Sequence, residues 1–402
     1  MKKPLHNCSI ALGVTGSIAS YKALDLASKL VQQGASVKAL LTSGATKIVT
    51  PLAFTAITHK SVSVNLYDPN SDIGMDHVSV AKSINLLIIA PATANTIAKL
   101  SYGISDNPVT TTYLATKAPV LVAPAMDGNM FSNEATQTNI NILKDRGVYI
   151  LGPYEGHLAS GMEGIGRMAD TNEILEWAKL IIAKNGDMSN VKIVVTAGGT
   201  KEPLDPIRVI TNRSSGKMGI AIAEAARDRG ASVKLITSLD PQPNIVGVEI
   251  IDGETAEEMA IQTKLHAQMA DAIIMAAAVS DWKPTDSSLA KIKKDDLSNM
   301  SLDLTKTEDI IGSINDPKLI KVAFAAETQN LLKNAKLKLT AKKLDLIVAN
   351  EVKQTGSVFG SDTNKVILID KNGREEDLPE MRKYDLGHLI IDRVKAMIEA
   401  RT

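Results

Sequence analysis

The residues that most clearly ask for a ligand are three lysines in the second half of the chain. Lys338 and Lys342 stand four apart in a stretch, 329–343, whose pattern predicts a helix, so they share one face. Like charges on one face cost a little stability unless an anion meets them. Together with Lys291, in the lysine-rich string KIKK, they could neutralise a triphosphate. Upstream, residues 196–218 read TAGGTKEPLDPIRVITNRSSGKM. Gly198 and Gly199 fall at a strand end, where absent side chains let a ligand approach the backbone. Ser214, Ser215 and Gly216 precede a helix whose first N–H groups can take an anion. A capped helix after a long loop accounts for the serines and Gly216. It does not account for Arg208, Asn212 and Lys217 standing so close together. Met275, Ala276 and Ala277 end an apolar strand over 271–275 and offer small groups against which a base or ribose can lie. Asp281 can bind a hydroxyl or a hydrated Mg2+. Phe324 opens the string FAAET after a strand over 319–323.

In the first half, three short loops of small and polar residues each follow an apolar run. Gly13 to Gly16 leads into Ser17 at a helix start, a place suited to phosphate or to an ordinary tight turn. Pro91, Ala92, Thr93, Ala94 and Asn95 follow a strand over 84–90. Met126 and Asp127 follow another over 119–123, and Met126 can pack on a flat ring, though a lone Met is more often core filler. His77 gains weight from preceding the strand that carries the 91–95 loop.

These residues need elements to hold them. Runs such as SIALGV (9–14) and INLLIIA (84–90) are continuously apolar, as strands buried on both faces are. They alternate with helical patterns such as 18–33, which Gly34 terminates. That alternation predicts an α/β fold with mostly parallel sheet. The layout restarts near 191, and GASVK occurs at both 34–38 and 230–234. Two Rossmann-like domains follow, with a boundary in the polar stretch 184–190, giving residues 1–186 and 187–402. The segment 283–308 reads as a mobile surface flap.

The chain has 402 residues, 45 Lys+Arg against 45 Asp+Glu, and one cysteine. Balanced charge argues against a generic nucleic-acid or membrane-surface binder. A lone Cys8 excludes a disulfide framework within one chain. No run is long and apolar enough to span a membrane, so a cytoplasmic location is expected.

In order, GVTGSIASYKALDL, DHVSVAKSINLLIIAPATANTIAKL, APAMDGNM and LASGMEGIGRM resemble the signature segments of the homo-oligomeric flavin-containing cysteine decarboxylases, across roughly 5–180. The resemblance implies a flavodoxin-like domain holding FMN on Gly16, Ser17, Thr42, Ser43, residues 91–95 and Met126, with His77 catalytic. It also aligns Asp127 with an Asn usual in that family, and Ser160 with a cysteine acid. An ionised Asp accepts hydrogen bonds but donates none, and serine is a far weaker acid than a thiol. TAGGT, DPIR, NRSSGKMG, AAAVSDW, KIKK, FAAET and LDLIVAN resemble the phosphopantothenate–cysteine ligases across 191–395. This implies a CTP and Mg2+ site on 275–277, Asp281, Lys291, Thr307, Glu308, Asp309, Ile310, Phe324, Lys338 and Lys342. TEDI stands there where the family usually has NPDI. Catalytic roles would fall to Asn212 and Lys291, and a substrate anion contact to Arg208.

The whole chain thus resembles bacterial bifunctional phosphopantothenoylcysteine decarboxylase/phosphopantothenate–cysteine ligases. The resemblance implies small-molecule substrates only, with trimeric flavin halves and dimeric ligase halves building a dodecamer. One alternative keeps an active ligase with an impaired or regulatory flavin half. A nicotinamide reductase would need a GxGxxG turn, which neither half has. A non-enzymatic binder is disfavoured by His77 and the lysine set.

Overall fold

The computed structural model describes residues 4–66, 76–157, 161, 163–293, 300–327, 329–351 and 360–401, without the side chains of Asp76 and Glu351. Ser160, Thr328 and Lys294 therefore lie outside the described residues. The chain divides into two compact units, Met1–Ile182 and Ala183–Thr402.

In the first unit the apolar runs form β1 (Ser9–Val14), β2 (Ser36–Leu41), β3 (Leu86–Ala92), β4 (Val120–Pro124) and β5 (Tyr149–Ile150). They pair in parallel in the order β2-β1-β3-β4-β5. The order turns between β1 and β3, which is where a doubly wound sheet opens a crevice at its carboxyl edge. Leu86, Leu87, Ile88 and Ile89 are all fully buried, each contributing roughly 2 kcal/mol of transfer free energy. β3 starts later and ends later than its composition suggested. Asn85 is taken up at the sheet bottom, where its Oδ1 accepts from Ser9 N at 2.8 Å. Pro91 and Ala92 are buried strand residues rather than loop residues, beyond a register shift between Ile89 and Ala92. Proline has no N–H to lose from the ladder there. The helix expected over 18–33 opens as a 3-10 turn, Ile18–Tyr21, before Lys22–Gln32. Gly34 follows at φ 93°. A hairpin of β6 (Tyr154–His157) and β7 (Glu163–Arg167) completes the unit's strands among the described residues.

In the second unit the strands are β8 (Lys192–Ala197), β9 (Lys201–Pro203), β10 (Val209–Thr211), β11 (Ser232–Thr237), β12 (Val248–Asp252), β13 (Ala272–Met275), β14 (Trp282–Pro284), β15 (Leu304–Lys306), β16 (Ile320–Glu327), β17 (Leu346–Glu351), β18 (Thr363–Asn364), β19 (Ile367–Asp370), β20 (Glu375–Asp377) and β21 (Met381–Arg382). The main sheet runs β12-β11-β8-β13-β16-β17-β19-β20. Its pairings are parallel from β12 to β17 and antiparallel beyond. β16 extends to Glu327, so Phe324 lies inside the strand instead of after it. The helix expected over 329–343 spans only Leu331–Ala341. Asn330 and Lys343 take left-handed backbone, at φ 52° and 51°, and close it at both ends. Part of the expected flap is ordered as the antiparallel ribbon β14–β15.

Candidate functional site

Each unit has a cavity at the carboxyl edge of its parallel sheet. In the first unit a cavity of about 550 Å³ is lined by Gly16, Ser17, Thr93, Ala94, Met126 and Asp127 of the expected set, joined by Tyr21, Lys22, Met130, His157 and Arg167. Two of the three loops are tied by one side chain. The Thr15 hydroxyl donates to Pro91 O at 2.8 Å and accepts from Thr93 N at 3.0 Å. Gly16 packs closely on a neighbour: a Cβ there would stand 3.0 Å from the Gly44 backbone, tighter than ordinary side-chain contacts. Ser17 caps the first turn, accepting from Ala19 N at 3.3 Å, and Thr93 caps the next helix, accepting from Thr96 N at 3.3 Å. Small and apolar walls with two hydroxyls and the cations Lys22 and Arg167 suit a flat conjugated ring carrying an anionic tail.

Thr42, Ser43, Asn95 and His77 of the expected set stand apart from this lining. Thr42 caps the turn that follows it, accepting from Ala45 N at 3.3 Å, and Ser43 and Asn95 are exposed. His77 sits at the start of the helix Asp76–Ser83, with Nδ1 buried and no hydrogen-bond partner. Asp127 acts as a helix N-cap, its carboxylate accepting from Asn129 N at 3.0 Å. An Asn oxygen could make the same bond, so the acidic residue is compatible with the local fold.

In the second unit residues scattered over the sequence converge on a larger cavity, about 690 Å³. Met275, Ala276, Ala277 and Asp281 reach it from the end of β13. Thr307, Glu308, Asp309 and Ile310 reach it from beyond β15, and Phe324, Lys338 and Lys342 from β16 and its helix. Asn212 arrives with the loop 212–216, ahead of the helix Lys217–Arg227. The close approach at Gly199 positions that loop: a Cβ would lie 2.4 Å from Asn212 O. Gly198 at φ 93° has the left-handed backbone that favours glycine. The Asn212 amide donates to Val279 O at 3.0 Å and Ala278 O at 3.3 Å, pinning the loop to the end of β13.

The cavity's charges are mostly matched. Lys338 pairs with Glu327 at 2.7 Å and Lys342 with Asp309 at 3.0 Å. Burial pushes the Glu327 carboxyl up, but hydrogen bonds from Lys338 and Asn334 prevail and hold it below the usual range. Lys264 holds the Glu308 carboxyl down, at 2.5 Å. Thr307 is bound at both ends, its hydroxyl donating to Ser280 O at 2.5 Å and its N–H to Asp281 O at 3.0 Å. TEDI therefore serves the local fold as well as the lining.

Two expected residues lie outside this lining. Lys291 is exposed. Arg208, expected to meet a substrate anion, instead donates to the Asp205 carboxylate through Nε at 2.9 Å and to Ile292 O at 2.9 Å. The Arg208 guanidinium, with the backbone N–H groups of Ile207, Arg208 and Ile292, holds the Asp205 carboxyl well below the usual range. The D-x-x-R spacing was visible in the sequence and would have signalled the pair. Arg213, Trp282, Lys306, Asn350, Asn364 and Lys383 also line the cavity without having been singled out. Lys383 carries little sequence signal, because only tertiary folding buries it. Burial, and then repulsion from Lys217, hold its ammonium below the usual lysine range.

Among the described residues no group of three or more His, Cys, Asp and Glu could hold a metal ion, and no helix is long and apolar enough to cross a membrane.

Comparison with known proteins matches both halves. The family described as Flavoprotein matches residues 1–183. The DNA/pantothenate metabolism flavoprotein C-terminal domain matches residues 188–398. The coenzyme A biosynthesis bifunctional protein CoaBC of Bacillus subtilis (strain 168) is 41% identical over 400 residues, covering 98% of each chain. Its counterpart in Escherichia coli (strain K12) is 40% identical over 390 residues, covering 96% of each. Among solved structures, the C-terminal domain of a CoaBC protein is 34% identical, covering 52% of this chain and 97% of its own, with a TM-score of 0.43.

Proposed function

The chain belongs to the family of bifunctional coenzyme A biosynthesis proteins, with a flavoprotein domain followed by a ligase domain, and on that premise we propose its two reactions and the residues that serve them. Residues 187–402 join cysteine to 4′-phosphopantothenate with CTP and Mg2+. Residues 1–186, with FMN, decarboxylate the product to 4′-phosphopantetheine.

A carboxylate does not acylate an amine in water without activation. In the ligase reaction the phosphopantothenate carboxylate attacks the α-phosphate of CTP and pyrophosphate leaves. The cysteine amine then attacks the acyl-cytidylate, and CMP leaves. No side chain needs to form a covalent bond, so catalysis is positioning and charge neutralisation. The observation that carries this reading is the convergence of residues from 212 to 342 on one cavity at the carboxyl edge of a parallel sheet. Lys338 and Lys342 would exchange their carboxylate partners for phosphates. Met275, Ala276, Ala277 and Phe324 would flank the nucleoside, Asp281 would meet the hydrated Mg2+, and Asn212 would hold the acyl-cytidylate. Lys291 would have to move to reach the triphosphate. Arg208 contributes by tying residue 292 to the 205–208 turn.

For the decarboxylation, bound FMN would supply a reversible two-electron oxidation at the carbon bearing sulfur, the electron sink that CO2 loss from this substrate lacks, and would give the hydride back once CO2 has left, with a proton from an acid, so that the net reaction is redox-neutral. The 13–17 turn and Ser17 would hold the phosphate, with Thr93, Ala94 and Met126 beside the ring. His77 is outside its own unit's lining, so a direct part for it requires a cavity shared between copies, as in the proposed trimer of flavin halves. Dimeric ligase halves would complete the dodecamer.

The test supplies 4′-phosphopantothenate, cysteine, CTP and Mg2+ to the purified protein. The expected products are 4′-phosphopantetheine, CMP, pyrophosphate and CO2, with His77→Asn stopping at 4′-phosphopantothenoylcysteine. Wild type stopping at that same compound would overturn the decarboxylase assignment.

A further inference from the structure

The ribbon beside the larger cavity carries a pair that the proposed reaction does not use. β14 and β15 run antiparallel with Trp282 directly opposite Lys306. Residues so opposed share one face of a two-stranded ribbon. Lys306 Nζ lies 5.7 Å from the centroid of the Trp282 indole, within cation–π range. Both residues line the cavity.

An exposed lysine resting on a tryptophan is ordinarily a solvated surface pair. The charge pattern around this one argues otherwise. Lys217, Lys338 and Lys342 each hold a carboxylate, and Lys383 donates to Ser361 O at 2.6 Å. The acids next to Lys306 in sequence are already engaged, Glu308 by Lys264 and Asp309 by Lys342. Lys306 has no carboxylate partner among the described residues, a condition that Arg213 shares in this lining. Asp281 lines the same cavity, and its side chain also has no partner among the described residues. Thr307 N–H bonds to Asp281 O at 3.0 Å, so Asp281 and Lys306 flank one backbone link and yet do not pair with each other. An ammonium and a carboxylate left unpaired at one cavity wall are what a polyphosphate and its divalent cation need.

We infer that Lys306, braced by the Trp282 ring, is a polyphosphate-binding residue of the second unit, contacting the terminal phosphates of a nucleoside triphosphate. The ring limits the rotamers the lysine must give up on binding, which lowers the entropic cost of the contact. The nucleotide's identity rests on the ligase reading; the anion site itself does not.

The experiment uses the full chain carrying Trp177→Phe, which leaves Trp282 as the sole indole because the sequence contains two tryptophans. CTP and inorganic tripolyphosphate, each with Mg2+, are titrated against Trp282 emission, and binding is measured in parallel by calorimetry. Both should bind and alter the emission. Lys306→Gln should weaken both by about tenfold, the loss of one charge-assisted contact, while Lys306→Arg stays near wild type. An unchanged melting temperature in Lys306→Gln separates lost contact from lost fold. Equal binding by Lys306→Gln and wild type would overturn the inference, as would no binding of either anion by wild type. Weakened tripolyphosphate binding without CTP-dependent ligation in any variant would support the anion site and count against the ligase reading.

Discussion

Thr15 shows how much one small residue can organise. It is 1% exposed, and its hydroxyl satisfies both the carbonyl of Pro91 and the N–H of Thr93. Thr15→Val keeps the shape and removes both bonds, leaving the buried Pro91 carbonyl unsatisfied at roughly 1–3 kcal/mol and the half-buried Thr93 N–H at less. The expected outcome is a lower melting transition for the first unit and loss of yellow colour on gel filtration, with CTP-dependent ligation retained. Arg208 carries the opposite lesson. An arginine beside a glycine-rich loop reads as an anion contact, although its D-x-x-R spacing already signalled the partner, Asp205, that the fold shows holding it. Lys306 was missed for a related reason: a lysine in a polar segment looks solvated until its strand partner is known to be Trp282.

At the scale of elements, the second unit depends on the close packing of the helices Lys217–Arg227 and Lys383–Glu399. A Cβ on Gly387 would stand 2.8 Å from Ala221 O, a backbone atom that cannot swing aside. Gly387→Ala should therefore destabilise this unit by about 1–3 kcal/mol, seen as a lower urea midpoint with an unchanged slope. Beside the contact lies a buried polar group. Arg227 is 1% exposed, pairs with Asp228 at 2.6 Å and donates to Val246 O at 2.7 Å. Asp228 accepts from the Tyr384 hydroxyl at 2.5 Å, and Tyr384 meets His388 edge-on at 4.7 Å. Burial pushes the His388 imidazole below its ordinary value, against the pull of Asp228 and with the push of Arg229; Asp392 and Asp385 also act on it. The folded ring takes up its proton at lower pH than the unfolded chain, which does so below about 6.5. The unfolded state then holds more protons, so stability falls as pH drops through that window. Melting curves between pH 7 and pH 5 should show this fall in wild type and a shallower one in His388→Leu. The helix periodicity was legible in the sequence, but the ends set by Asn330 and Lys343 were not, because left-handed backbone at a non-glycine residue leaves little trace in composition.

At the scale of the molecule, the α/β character and the duplication of layout were legible because continuous apolar runs followed by glycine turns specify parallel strands with ligand-facing carboxyl ends. The convergence of Asn212, Asp281, Phe324, Lys338 and Lys342 on one cavity was legible for the same reason, since each follows or ends a strand of that sheet or lies on a helix beside it. His77 was less so: its place beyond the first unit's cavity depends on how its helix packs, which periodicity does not encode. The two proposed reactions run in a fixed order, the product of the proposed CTP-dependent step feeding the proposed flavin-dependent one. The direct measurement is CO2 release from carboxyl-labelled cysteine by the purified chain. Labelled CO2 should appear only when 4′-phosphopantothenate, CTP and Mg2+ are all present, and in proportion to the CMP formed. Labelled CO2 released without CTP, or CMP accumulating with none released, would contradict the account.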